Sequence, residues 1–264
     1  MSDYEYMAVT RQDGVARIAF ARPEKRNAMT PDMMRECCEA LDAATADPEV
    51  RAIVLAGEGE HFAVGADYDH LVAMNDMRAA AVRDELYRYF QGAVRRAWHC
   101  PKPTIACVQG AAVTVGAELA LACDFRIMAE GSFLQESWIK LGLIPPLGGL
   151  FLLPRYLGLA KAREVILRGR RIYAAEALET GIATRVVEQA ELAEAGHELA
   201  LDLKETAPMA YAMAKEGLHR ALESSMAAEW SANVAVQGTL ITSEDFAEGL
   251  AAMREKRAPR FKGR

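Results

Sequence analysis

The chain is short of the features that mark secreted, membrane-spanning, metal-binding and nucleic-acid-binding proteins. Its five cysteines, among them the adjacent pair Cys37 and Cys38, form no C-x-x-C motif and join no histidine cluster. That excludes a disulfide framework and offers no metal-ligand spacing. No stretch reaches the roughly 18 uninterrupted apolar residues of a membrane span. The opening MSDYEYMAVT has neither the basic region nor the apolar core of a signal peptide. Positive charge is scarce as well: 31 Lys and Arg against 37 Asp and Glu leave a net charge of -6, without the basic footprint that nucleic acid requires. These absences predict a cytoplasmic protein with no nucleic-acid, membrane or metal partner. GLIPPLGG contains glycines but lacks the lysine and spacing of a P-loop, so it reads as a rigid turn. Neither tandem repeats nor a low-complexity linker divides the chain.

What is present is a core-forming chain, 52% apolar over 264 residues. VARIAF (15–20) alternates as a strand and is followed by a charged loop, ARPEKRNAMT. From Pro31 the spacing predicts a helix with proline in its first turn, and RAIVLAG (51–57) reads as a buried strand. A helical stretch runs from about Met77 to Trp98, and KPTIACVQG and CDFRIMAE (123–130) read as strands. GLAKAREVILRG is helical in pattern, and RRIYAAEALETGIATRVVE is a short helix followed by a strand. Alternation of this kind implies parallel strands joined by helices, hence an α/β core over residues 1–190. From about Leu192 the pattern is helical only, giving a C-terminal region over 191–264.

Within the small, apolar stretch GAAVTVGAELALACDF (110–125) stands a carboxylate, Glu118, with no basic residue nearby in sequence. A turn at Gly110 to Thr114 followed by a helix from Val115 to about Cys123 would leave the first helical N–H groups unpaired beside it. Such a helix start favours an oxygen that becomes anionic, although glutamate in a first turn also serves the same dipole without catalysis. A second glycine turn, HFAVGADYDH, lets the N–H of Ala66 share a pocket with the N–H of Val115, since Gly65 permits a tight turn. Asp67 to His70 could cap a helix, and Tyr68, Asp69 and His70 could relay a proton.

RPEKRNAM, FAVGADYDHL, QGAAVTVGAELALACDFRI, KLGLIPPLGGLFLLPRYLG and RAPRFKGR resemble, in order and spacing, the crotonase superfamily, the enoyl-CoA hydratase/isomerase family. The resemblance spans about Val15 to Arg264. It implies a spiral of ββα turns, helices used in assembling a homotrimer or a dimer of trimers, and catalysis on acyl-CoA thioesters, as in fatty acid metabolism, without a separate cofactor. By likeness, Ala66 and Val115 are the oxyanion donors and Glu118 the first catalytic carboxylate. Lys25, Arg26 and Ala28, together with Ala66, Asp67, Tyr68 and Asp69, would contact CoA, and Phe261 and Lys262 would reach its nucleotide end from a neighbouring subunit.

The chain also departs from the pattern. Hydratases of the family carry a second glutamate before the KLG segment; here that position falls on Trp138 counting back and on Ser137 counting forward. Glu136 misses by either count. A bulge in SFLQESWIKLG would carry Glu136 into the site as a second catalytic carboxylate; otherwise it is a solvated residue of a surface turn. Trp138 matches a tryptophan of the dehalogenase branch and is a candidate substrate contact, but Pro146 stands where that branch has an aspartate. Thr114 and Val115 replace glycines and would narrow the acyl channel. The expectation is an enoyl-CoA isomerase or atypical hydratase with Glu118 as acid and base. A decarboxylase or hydrolase of a CoA thioester, and a non-catalytic acyl-CoA binding protein, stand as alternatives.

Overall fold

The computed structural model describes residues 4–264. The chain opens with a hairpin, β1 (Met7–Gln12) and β2 (Val15–Phe20), closed by Asp13 and Gly14, both at positive φ, the two-residue turn that suits strand twist. α1 (Pro31–Ala46) starts where Thr30 accepts from the Met33 amide and Pro31 occupies the first turn. It leads to β3 (Ala52–Gly57), α2 (Tyr68–Asn75), α3 (Ala79–Glu85) and, through a π-helical turn at 86–90, α4 (Gln91–His99). β4 (Thr104–Val108), β5 (Ala111–Val113), α5 (Val115–Ala122), β6 (Phe125–Ala129) and β7 (Phe133–Gln135) follow. α6 (Gly149–Arg168) is kinked at Gly158, β8 (Arg171–Tyr173) precedes α7 (Ala174–Glu179), and β9 (Arg185–Val187) is the last strand among the described residues. α8 (Leu192–Lys204), α9 (Pro208–Ala221), α10 (Met226–Ile241) and α11 (Glu244–Glu255) complete the chain.

Six strands form one sheet in the order β1-β2-β3-β4-β6-β9, parallel except for β1 against β2. Alternation along β3 shows how it is buried on both faces. Ile53 and Leu55 enter the main core with α1, α4 and α5, whereas Ala52, Val54 and Ala56 face a second cluster with Leu192, Ala195 and Ala200 of α8. α8 therefore belongs to the layering of the α/β core. Beyond it burial thins, and α10 buries no residue at all. α9 is tied down by Lys215, whose buried ammonium lies 2.9 Å from Asp124, a carboxylate that also accepts from Thr104 and Tyr211. Among the described residues no helix is long and apolar enough to cross a membrane.

A second sheet, β5-β7-β8, carries the elements on which the site stands. The expected turn at Gly110 to Thr114 is here a strand, Ala111–Val113, paired in parallel with β7 from Ala111↔Phe133 to Val113↔Gln135. Three residues give no periodicity to read, and the ladder alone defines them. The rigid turn expected of GLIPPLGG holds only to Gly148; α6 begins at Gly149, nine residues ahead of the expected GLAKAREVILRG helix, with the kink at Gly158 joining the two parts.

Candidate active site

α5 begins directly at the end of β5, so the turn between them must be abrupt. Thr114 makes it at φ 47, ψ -108, a conformation rare for a β-branched residue, with its N–H donating to Gln135 O and its C=O accepting from Glu118 N. Val115, the first helical residue, is left with an N–H that has no protein acceptor among the described residues. The segment 62–66 runs alongside: Ala63 N donates to Ala111 O and Val113 N to Ala63 O. It ends at Gly65, φ +98, where a Cβ would stand 2.1 Å from Thr114 Oγ1. That contact requires glycine and seats the 65–66 turn on the 114–115 turn. The Ala66 N–H is likewise without a protein acceptor among the described residues.

The loop bearing Lys25, Arg26 and Ala28 is laid against this turn. Met29 N donates to Gly65 O, Asp67 N to Met29 O and Val64 N to Arg26 O. Arg22 clamps the two, donating to Ala28 O and pairing with Asp67 at 2.8 Å. Asn27, fully buried at φ 54, donates to the carbonyls of Glu58, His61 and Phe62. Both residues lie in RPEKRNAM, and Asn27 within the stretch from Lys25 to Ala28 expected to contact CoA, but the clamp of Arg22 and the buried carbonyl contacts of Asn27 carry no sequence signal beyond the tolerance of Asn for positive φ. Asp67 caps α2 by accepting from Asp69 N and His70 N, while Tyr68 and Asp69 are exposed. His70 turns to Glu85, 2.7 Å away, away from a relay with Tyr68 and Asp69.

Glu118 is fully buried, yet three donors reach its carboxylate. Trp138 Nε1 donates to Oε1 at 3.2 Å, and the amides of Leu147 and Gly149 donate to Oε2 at 2.8 and 2.7 Å. Gly149 opens α6 and Leu147 lies two residues before it, so the helix dipole also favours the charge. Burial wins: it pushes the Glu118 carboxyl up to about 7, against the pull of the Gly149 and Leu147 amides and the Trp138 indole.

Glu136 is not the solvated residue of a surface turn that one reading allowed. It is 2% exposed, and neither of its oxygens has a partner. Glu136 and Ser137 link the end of β7 at Gln135 to a 3₁₀ turn over Trp138–Leu141, and both Glu136 and Trp138 are buried. A Cβ built on Gly149 would lie 3.2 Å from Glu136 Oε1 and 3.3 Å from Glu118 Oε2, so glycine there leaves open the space the two carboxyls flank. Burial, then the neighbouring Glu118 charge, raises the Glu136 carboxyl well above the usual carboxylate range.

Phe261 and Lys262 lie elsewhere in this chain. Phe261 packs against Gly249 and accepts from Arg51 through its carbonyl, and the Lys262 amide donates to Asp245. No cluster of three or more His, Cys, Asp or Glu able to hold a metal occurs among the described residues.

The family model for enoyl-CoA hydratase/isomerase matches residues 10–264. A Rhizobium meliloti protein named "Probable enoyl-CoA hydratase" is 38% identical over 261 residues, 99% of each chain. The mouse enoyl-CoA hydratase domain-containing protein 2, mitochondrial, is 35% identical over 95% of this chain and 85% of its own. The crystal structure of an enoyl-CoA hydratase from Bacillus anthracis superposes with a TM-score of 0.91 at 31% identity, over 98% of this chain and 100% of that one. With a matching family model over nearly its whole length and the same α/β core with C-terminal helices, this chain belongs to the enoyl-CoA hydratase/isomerase (crotonase) family, whose members act on acyl-CoA.

Proposed function

We propose that this enzyme adds water across the double bond of a 2-enoyl-CoA. The observation that carries the reading is the second carboxyl: Glu136, buried and without a partner, beside Glu118 across the space kept open by Gly149. The free amides of Ala66 and Val115 would receive the thioester oxygen and stabilise the enolate that forms when a nucleophile adds to the β carbon. Glu118, held by three N–H donors, is the group suited to the charged state and draws the proton from water. Glu136, with no donor to support a charge, stays neutral and gives its proton to the α carbon.

Isomerisation of a 3-enoyl-CoA needs only one carboxylate to shuttle a proton between carbons, and it is the second reading. The two separate in one experiment. Crotonyl-CoA and a 3-enoyl-CoA are offered to the parent, Glu118→Gln and Glu136→Gln proteins. A hydratase loses crotonyl-CoA hydration with either substitution; an isomerase keeps its turnover in Glu136→Gln. Binding of both thioesters with turnover of neither would leave a binding protein.

The assembly proposed is a trimer or dimer of trimers. Supporting it are the apolar side chains that α10 and α11 leave uncovered, among them Trp230 at 67%, Val234 at 75% and Met253 at 73% exposure. Light scattering that gave a monomer would remove it.

A further inference from the structure

Glu118 and Glu136 are both buried beside Gly149, yet every N–H donor goes to Glu118. Two of those donors are backbone amides, which almost any residue at those positions would supply. The third is a side chain, and it is the only donor to Oε1 among the described residues. We propose that Trp138 is a positioning residue of this site: its indole N–H fixes the Glu118 carboxylate and keeps the charge on Glu118 and the proton on Glu136. This rests on the acid and base roles given to the two carboxyls above.

The indole can serve in this way because it only donates. A proton on Oε1 would set an O–H against the indole N–H, and a proton on Oε2 would set it against the Leu147 and Gly149 amides. Protonation of Glu118 removes the charge that strengthens its three hydrogen bonds, whereas Glu136 has none to weaken. The donor is also well held. Trp138 is 4% exposed and heads the 3₁₀ turn, where its carbonyl accepts from Leu143 N at 3.0 Å. Around Glu118 the titratable group contributed by the end of β7 is Glu136; the start of α6 brings amides only. Lys140, the cation of the Trp138 turn, is exposed, with its Cε beside Gly169.

The chain has three tryptophans, so Trp98→Phe with Trp230→Phe leaves Trp138 as the sole tryptophan, excited selectively at the red edge of its absorption where tyrosine does not absorb. Its fluorescence between pH 5 and 9 reports the carboxylate with no substrate present. The expected result is one transition with a midpoint near 7 that disappears in Glu118→Gln; emission that stays flat across the range overturns the proposal. In the second arm, Trp138→Phe keeps the bulk and removes the donor. The rising limb of kcat/KM against pH should move about one pH unit upward, which is about a tenfold loss of rate below the limb. A limb that stays in place overturns the proposal, and if Trp138→Phe does not fold, the fluorescence arm decides alone. Absence of turnover in the parent protein would refute the enzymatic reading and leave the fluorescence result standing by itself.

Discussion

Glu118→Gln should change how stability depends on pH, and the direction follows from the burial of the carboxyl. Glu118 is fully buried and its carboxyl is raised from the usual 4.5 to about 7. An unfolded chain releases this proton near 4.5, while the fold retains it to about 7. Between those values the native state binds more protons than the unfolded state, so stability falls as pH rises through the window. At about 1.36 kcal/mol for each tenfold change in proton affinity, the loss amounts to about 3 kcal/mol by pH 8. Glutamine cannot ionise and escapes it. It does set an NH₂ among three N–H donors, but that mismatch is the same at every pH and resembles the one in the protonated acid. Urea denaturation of both proteins at pH 5, 6, 7 and 8, at one protein concentration, isolates the effect. Their stability difference should move toward the glutamine variant by about 3 kcal/mol, mostly between pH 5 and 7. A constant offset, or drift in the parent's favour, would refute the argument that desolvation outweighs the three donors.

Three further outcomes can be checked. Glu136→Leu removes a buried carboxyl that has no partner, so it should raise the urea midpoint while lowering hydration of crotonyl-CoA by about a hundredfold or more; unchanged hydration would take Glu136 out of the chemistry. Gly65→Ala puts a Cβ 2.1 Å from Thr114 Oγ1 at φ +98, and should cost about 1–3 kcal/mol of stability and lower kcat by displacing the Ala66 amide. Adding Thr114→Gly should restore part of the rate, and failure to do so counts against the seating of one turn on the other. Lys215→Met leaves the largely buried Asp124 without its cation and should cost about 3 kcal/mol in chemical denaturation; a loss under about 1 kcal/mol would show that the pair does not anchor α9.

Much of the frame was legible before any coordinates. β2, β3 and β4 announce themselves by apolar runs bounded by turn residues, and α1 by Thr30, Pro31 and helical spacing. These signals act over a few residues, as capping and periodicity do. The start of α5 at Val115, with Glu118 in its first turn, is of the same local kind. β1 carries little signal because its residues grow more exposed along its length and alternate weakly; β7 and β8 carry none because three residues hold no period.

What no local reading could supply is the company Glu118 keeps. Its donors come from 20, 29 and 31 residues away, and the two backbone amides among them lie at the start of α6 and two residues before it, placed by packing beyond Pro145 and Pro146. The one-residue excess in SFLQESWIKLG could be counted in the sequence, but counting could not say whether it turns Glu136 outward or in. The ladder from β5 to β7 and the close approach of Gly149 decide that, burying a carboxyl that would be well solvated in an extended chain. Sequence thus determined which groups are present and the helix start that bears one of them. Tertiary packing decided how deeply each carboxyl is buried and which of them has donors, because desolvation and hydrogen-bond partners belong to the whole fold.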